Sequence, residues 1–283
     1  MKTLNLYIKE SLQCKAIYNE SLQYKAIYNE SLLDDEDELT TNSPIEIIKS
    51  FIDDNYDVTG KLDIKELNNI YIVNCEGWVE VKDNKITQLT NGFFEWGVMK
   101  GNFNCRNCKS LTSLQGAPEK VGMNFSCYGC TSLKSLKGAP KEVGGSFDCD
   151  NCESLKSLKG APEKVDGSFY CYNCDSLKDL TGAPEKVGGR FYCFECKSLK
   201  SLEGAPKEVD GNFDCNNCKS LTSLQGAPKE VGGDFYCNNC ESLTSLQGAP
   251  KKVDGHFYCS HCKIKFTKDD VIRVSKVKGK IIV

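Results

Sequence analysis

The chain has 283 residues, 40% hydrophobic and 27% charged, with a formal net charge of −3. That length suits two ordinary domains or one long repeat array, the near-balanced charge gives no bulk attraction to nucleic acid or anionic lipid, and no apolar run approaches the ~18 residues of a membrane span. The eighteen cysteines are the outlying count, and composition does not say whether they are ligands, disulfides, catalysts or core.

The opening MKTLNLYIKESLQ has no apolar h-region and no small-residue cleavage site, so it does not read as a secretory signal peptide. The expected compartment is the reducing cytoplasm, where structural disulfides are rare. Residues 7–33 hold a ten-residue duplication, YIKESLQCKA, IYNESLQYKA, IYNESLLDDE. Leu12, Ile17, Leu22, Ile27 and Leu32 predict a helix whose apolar stripe drifts around it. DDEDE at 34–38 reads as a solvated linker. The stretch MKTLNLYIKES also resembles the N-terminal targeting peptides of internal head proteins of tailed phages, which are cut after Glu in an Ile/Leu-x-Glu context, and Ile8–Lys9–Glu10 fits such a site. This resemblance implies a head-packaged protein in a virion or host cytoplasm. Residues 1–42 therefore form a first segment, and 43–77 a helix–strand cap. In that cap Ser43, Pro44 and Glu46 sit at N-cap, first helical and capping-box positions. The helix is expected to run to about Asp54, ahead of Gly60 and the apolar stretches LDI and YIVNC.

From residue 78 to 262 the chain repeats. Cysteine pairs begin at Cys105/Cys108 and recur every 22 residues to Cys259/Cys262, in the unit GxFxCxxCxSLxSLxGAPxxVx. Such self-similarity is the signature of a solenoid. Phe and the first Cys, as in Phe147–Asp148–Cys149, lie two apart and so share one face of a strand. Strands stacked about 4.8 Å apart would carry eight regular coils over roughly 40 Å. Phe, both Cys, the two Leu and Val are the candidate core of each coil, and a GAP triplet turns the chain.

This pattern resembles the leucine-rich repeat in its short cysteine-type form, as encoded by tailed phages and bacteria. In that reading Cys152 takes the Asn/Cys position and Leu155 follows three residues on. VEVKDNKITQL spells the asparagine form through Val79, Val81, Asn84, Ile86 and Leu89. The family's first Leu is Gly here, as at Gly145 and Gly167. The expected fold is a leucine-rich-repeat-like β-solenoid with one short parallel strand per coil, an extended or turn-like opposite arc, and a small α/β N-terminal cap. The tail, residues 263–283, breaks the unit. Its alternating Ile264/Phe266 and Ile272/Val274 predict strands that close the last coil, and Asp269 and Asp270 dilute what would otherwise be a basic stripe.

C-x2-C-x18-C-x2-C is a spacing that also signals zinc. Against it, the first Cys shares its face with Phe, and loops such as CDNC, CYNC and CFEC mostly lack the Gly or Pro that zinc knuckles use to turn the backbone. Buried free thiols, which behave as small hydrophobes, are the preferred reading. Zinc and disulfide or redox roles are the competitors, and no metal or cofactor is assigned. His256 and His261 flank Cys259 and Cys262, but alternation sends His256 to the opposite face.

No Walker loop, HExxH or GxSxG motif is present, so no enzyme is expected. The outward strand positions vary between coils and carry Tyr128, Tyr170, Tyr172, Tyr192, Phe194, Tyr236 and Tyr258. Placed on the concave face of a solenoid, these residues are the candidate binding site for another protein. A zinc-binding structural protein using the CxxC array and a virion-associated protein are the two alternatives.

Overall fold

The computed structural model describes residues 43–283 apart from 69, 83, 84, 91 and 93. The duplicated helix, the acidic linker, the Glu10 cleavage site, Cys14 and Asn84 lie outside the described residues. Pro44–Val283 form one compact unit, a parallel β-solenoid of about nine turns with about 22 residues per coil.

Helix α1 (Pro44–Asn55) opens the unit where the Ser-Pro start places it, and it buries Ile48 and Ile52, four apart on one face. Strand β1 (Tyr56–Val58) runs antiparallel to β4 (Val79–Val81), while β2 (Leu62–Leu67) and β3 (Ile70–Cys75) form an antiparallel pair. β5 (Phe94–Met99) then joins β3 in parallel. Val79 pairs with Phe103, and Val79 and Leu89 are buried. The stretch from Val79 is thus the irregular first coil of the array.

From there each regular coil contributes a Phe strand, such as Phe147–Asp148, and each coil through the seventh a Val strand, such as Lys164–Val165. The Phe strands stack in parallel register, Phe147 on Phe169 and Phe125. The Val strands do the same, Val165 on Val187 and Val143. The arc opposite the Phe strands is extended, as expected, but it also forms a second ladder, so the solenoid has two eleven-stranded sheets rather than one. In the seven GAP coils the valine three residues past the proline lies in extended backbone and pairs with the valine of its neighbours, and Met99 and Val277 continue the ladder at either end without a GAP triplet.

The core between the sheets is a set of columns. Phe103 to Phe257 stack with ring centroids 5.0–5.6 Å apart, and both Leu columns and the Val column are buried. A fully buried Phe or Leu stabilises by about 1.5–3 kcal/mol, which a lone coil could not collect without neighbours on both sides. Backbones of adjacent coils approach closely where the Phe strand begins. A Cβ on Gly145 would stand 2.8 Å from the carbonyl carbon and oxygen of Met123. This contact favours Gly two residues before the Phe in most coils, although Met123 holds that position one coil earlier.

The ends differ from each other. Phe51, Tyr56, Phe94 and Trp96 close the front in an edge-on cluster that reaches Phe103, with Tyr56–Trp96 and Phe94–Trp96 centroids both 5.3 Å apart. At the rear, the expected strands at Ile264/Phe266 and Ile272/Val274 do not form. Thr267 and Asp270 make a reciprocal capping box, Asp270 N–H to Thr267 Oγ1 at 3.2 Å and Thr267 N–H to Asp270 Oδ2 at 2.9 Å, and start helix α2 (Lys268–Ile272). Val271 is buried, while Ile264 and Ile272 are exposed, so the apparent alternation was not a sheet face. Lys276–Val277 and Ile281–Ile282 close the two sheets instead.

Gly182 has φ +98°, and a Cβ there would lie 2.5 Å from the Lys159 nitrogen, whereas Gly92, at φ +84°, has open space around it. Both should suffer the left-handed penalty of about 1–2 kcal/mol on substitution by Ala. Gly182→Ala is expected to lower the urea midpoint clearly more than Gly92→Ala, because only Gly182 also meets backbone.

Candidate functional site

The CxxC segments set both the core and the outer face of the Phe sheet. Within each pair the backbone turns at the residue before the second cysteine, which has positive φ in every coil: 58° at Asn107, 69° at Gly129, 56° at Asn151, 53° at Asn173, 59° at Glu195 and 56° at His261. Asn tolerates this left-handed conformation better than other side-chain-bearing residues. CDNC and CYNC lack the Gly or Pro of a zinc knuckle, as the sequence reading had it, and asparagine makes the turn in their place. The turn sends both sulfurs inward.

The second cysteine's Sγ donates to the backbone carbonyl of the first cysteine one coil earlier. Cys130 reaches the Cys105 oxygen at 3.1 Å, Cys174 the Cys149 oxygen at 3.3 Å, Cys218 the Cys193 oxygen at 3.2 Å, and Cys262 the Cys237 oxygen at 3.2 Å. Some first cysteines donate forward, Cys149 to the Tyr170 oxygen and Cys215 to the Tyr236 oxygen, both at 3.2 Å. Only a protonated thiol can donate. Burial pushes Cys196 and Cys240 up to about 12 and Cys262 up to about 11. Metal ligation and nucleophilic attack both need the thiolate, so this setting disfavours them. The described cysteines are all free thiols, and only Cys262 is not fully buried. Among the described residues no group of three or more His, Cys, Asp or Glu is placed to hold a metal ion. Of the two histidines, His261 is exposed and His256 is half-buried, accepting the Lys280 N–H on Nδ1 at 2.7 Å.

Three columns face outward from the Phe sheet. The first, just before each Phe, is a side-chain ladder that the sequence reading did not single out. Asn102 Oδ1 accepts the Asn124 N–H at 2.9 Å, Asn124 Oδ1 the Ser146 N–H at 2.7 Å, and Ser168 Oγ the Arg190 N–H at 3.0 Å. The recurrence of Asn, Ser and Asp at one position was its available signal. The other two columns, one just after each Phe and one just after each first Cys, carry the candidate aromatics, all of them half-buried.

The seven aromatics do not form one patch. Tyr170, Tyr172, Tyr192 and Phe194 come together: Tyr172 stacks on Phe194 at 4.4 Å, and Tyr192 stands edge-on to Tyr170 at 5.7 Å and to Phe194 at 6.0 Å. Tyr236 and Tyr258 stack separately at 4.6 Å. Tyr128 is apart from both groups and lies under the Arg106 guanidinium at 4.6 Å. Carboxylates separate the bands: Asp148 and Asp150 before the four-ring patch, Asp214 after it. A groove of about 630 Å3 runs from Asn102 to Phe194 past Arg106, Asp148, Asp150 and the four rings. The carboxylates were missed as site residues, although Asp is depleted at outward strand positions and D-x-D in one coil was visible.

Asp150 is 5% exposed. Burial, and then the neighbouring Asp148, push its carboxyl up to about 9, with the Tyr172 N–H bond at 2.8 Å to Oδ1 acting the other way. Burial lifts Asp214 to about 6. The outward side of the Val sheet differs: Lys120–Glu142 at 2.6 Å, Lys186–Glu208 at 3.3 Å and Lys252–Glu230 at 3.3 Å pair along it, all well exposed. Solvent screens such exposed pairs, so they add little to stability.

No protein family, curated protein or solved structure compared with the chain matches it. No helix among the described residues is long and apolar enough to cross a membrane.

Two outcomes are expected. In a Cys14→Ser variant, a thiol reagent should react quickly with no more than one cysteine, Cys262, in the native protein and with the rest only on unfolding. The folded chain keeps the Asp150 proton up to about pH 9, while the unfolded chain loses it near 3.8. Between those values the folded state holds the extra proton, so this site's contribution to stability falls as pH rises. Asp150→Asn should therefore match the parent Tm near pH 4 and exceed it by a growing margin toward pH 9.

Proposed function

We propose that the chain is a non-enzymatic protein-binding solenoid and that its partner docks on the outer face of the Phe sheet. The observation that carries this reading is the contiguous four-ring patch of Tyr170, Tyr172, Tyr192 and Phe194 beside an open groove. Half-buried rings have few rotamers to lose on binding, and Tyr combines apolar area with a polar tip, which suits a protein interface. The rings rise from in-register core columns, so the surface is pre-formed and the ordering cost of association is small. The paired, solvated Lys/Glu face lacks those qualities.

The leucine-rich-repeat affinity of the coil belongs to the same reading. It is supported by the thiol at the Asn/Cys position bonding across coils, a bridging role that an asparagine side chain could also fill. A virion or host-cytoplasm setting rests on Ile8–Lys9–Glu10, and the intact mass of protein recovered from virions tests it, with cleavage after Glu10 expected. The zinc alternative finds poor support in second cysteines that donate to carbonyls, with Cys196, Cys240 and Cys262 pushed up by burial; Cys259, lowered by its bond with Cys237, is an exception. Metal analysis of the purified protein should return no stoichiometric zinc.

Pull-down with Tyr170→Ala/Tyr192→Ala, set beside Lys186→Ala/Glu208→Ala on the opposite face, tests the surface. Loss of at least about 90% of captured partner in the ring variant alone is expected. Equal capture by both would overturn the assignment.

A further inference from the structure

The carboxylates of the Phe-sheet face enter no ion pair among the described residues, although Arg106 acts on Asp150 along the groove, and the rings beside them are set to receive a cation. Asp148 ends its Phe strand, Asp150 lies two residues on in the turn of the CxxC segment, and both line the same groove. Asp148 Oδ1 accepts the Asp150 N–H at 3.1 Å, and its Oδ2 takes the Ser126 hydroxyl at 2.9 Å. Among the described residues the ion pairs join lysines and Arg273 to other acids, such as Lys120 to Glu142 and Lys197 to Asp175, and none includes Asp148, Asp150 or Asp214. Asp150 is also nine-tenths buried, so with no ion-pair partner it keeps its proton, and a positive group arriving from outside favours its ionised form.

The ring geometry points the same way. Tyr172 sits one coil beyond Asp150 in the same column and stacks on Phe194, one coil further, with planes 9° apart. One face of Tyr172 is thereby covered, and the other looks back over Asp150. A cation resting on Asp150 would lie against that free face, where ring and cation attract. Arg106, 4.6 Å over Tyr128, shows that the groove already accommodates a guanidinium on a tyrosine. Across the four-ring patch, Asp214 repeats the arrangement between Tyr192 and Tyr236 in its own column. Asp148 and Asp214 stand three coils apart, about 14 Å at ~4.8 Å per rung, which an extended segment covers in about four residues.

We propose that the partner segment bound here is extended and basic, with two lysine or arginine side chains four residues apart that engage Asp148/Asp150 and Asp214, and an apolar residue between them over the four rings. This inference rests on the protein-binding reading of the same face and adds the chemistry of the partner.

The test uses the full chain and labelled synthetic peptides in fluorescence anisotropy. One peptide carries Lys-Ser-Leu-Ser-Lys between glycines, a second replaces both lysines with glutamine, and a third places the lysines two apart. Saturable binding of the first is expected, about tenfold tighter than of the other two, and weakened about tenfold by Asp148→Asn/Asp150→Asn or by Asp214→Asn. The Asn variants keep the shape of the site, and their folding is checked by their thermal transitions. No binding of the first peptide, equal binding of the glutamine peptide, or indifference to the Asn substitutions in folded protein would overturn the proposal. If the ring variant still loses the partner in pull-down while the lysine peptide fails, the surface stands and only the cation inference falls. If the ring variant loses nothing, the surface falls as well.

Discussion

In each regular coil after the first, the second cysteine hands its thiol hydrogen to the carbonyl of the first cysteine one coil back, at 3.1–3.4 Å. The bond is weak singly, yet it lies where the strand bends into the next arc and a backbone carbonyl would otherwise be buried without a partner. Leaving such an acceptor unpaired costs about 1–3 kcal/mol. The same atom fills the core between the Phe and Leu columns. Everything outside follows from this register: stacked Phe rings, two sheets in step, and outward columns whose residues meet the same position of the next coil.

That constraint also bears on the character of the cysteines. A thiol that donates is protonated, and burial pushes Cys174, Cys196, Cys218, Cys240 and Cys262 up. The chemistry that a CxxC pair ordinarily signals, metal ligation or disulfide exchange, begins from a thiolate. The motif's spacing serves instead to place one sulfur on the strand and a second past a left-handed turn, with Asn most often supplying the turn. Turn and sulfur pair belong to one device, which is why Asn107, Asn151, Asn173, Asn217 and Asn239 recur in it.

The outer face gains its specificity from the same regularity. With a strict register, the residue after Phe and the residue after the first Cys are sampled once per rung, and substitutions there change the surface without touching the core. The chain uses that freedom to write bands: a guanidinium over a tyrosine, a carboxyl pair, four rings, another carboxyl, two more rings. The Val-sheet side is written in lysine–glutamate pairs that remain in solvent. One face carries lysine–carboxylate ion pairs and the other carries none at Asp148, Asp150 and Asp214, which is why the proposed binding surface is the second.

Much of this was legible in the residues alone. The period, the core set Phe–Cys–Cys–Leu–Leu–Val, the helix after Ser43 and the in-facing sulfurs follow from spacing, because in-register stacking converts a 22-residue repeat directly into columns. The positions of the outward aromatics followed from strand alternation. What spacing could not supply were relations across coils. The second sheet depends on where valines three residues past GAP meet in space. The ladder from Asn102 to Arg190, resumed from Asn212 to His256, depends on backbone N–H groups of the next turn. The rear helix depends on a capping box outcompeting an alternating pattern. The division of seven aromatics into separate bands, and the burial of Asp150 between two tyrosines, depend on which coil stands beside which. Local pattern determined the coil; the neighbour 22 residues away decided what each side chain touches, because in a solenoid the contacts that matter are between turns and not along the chain.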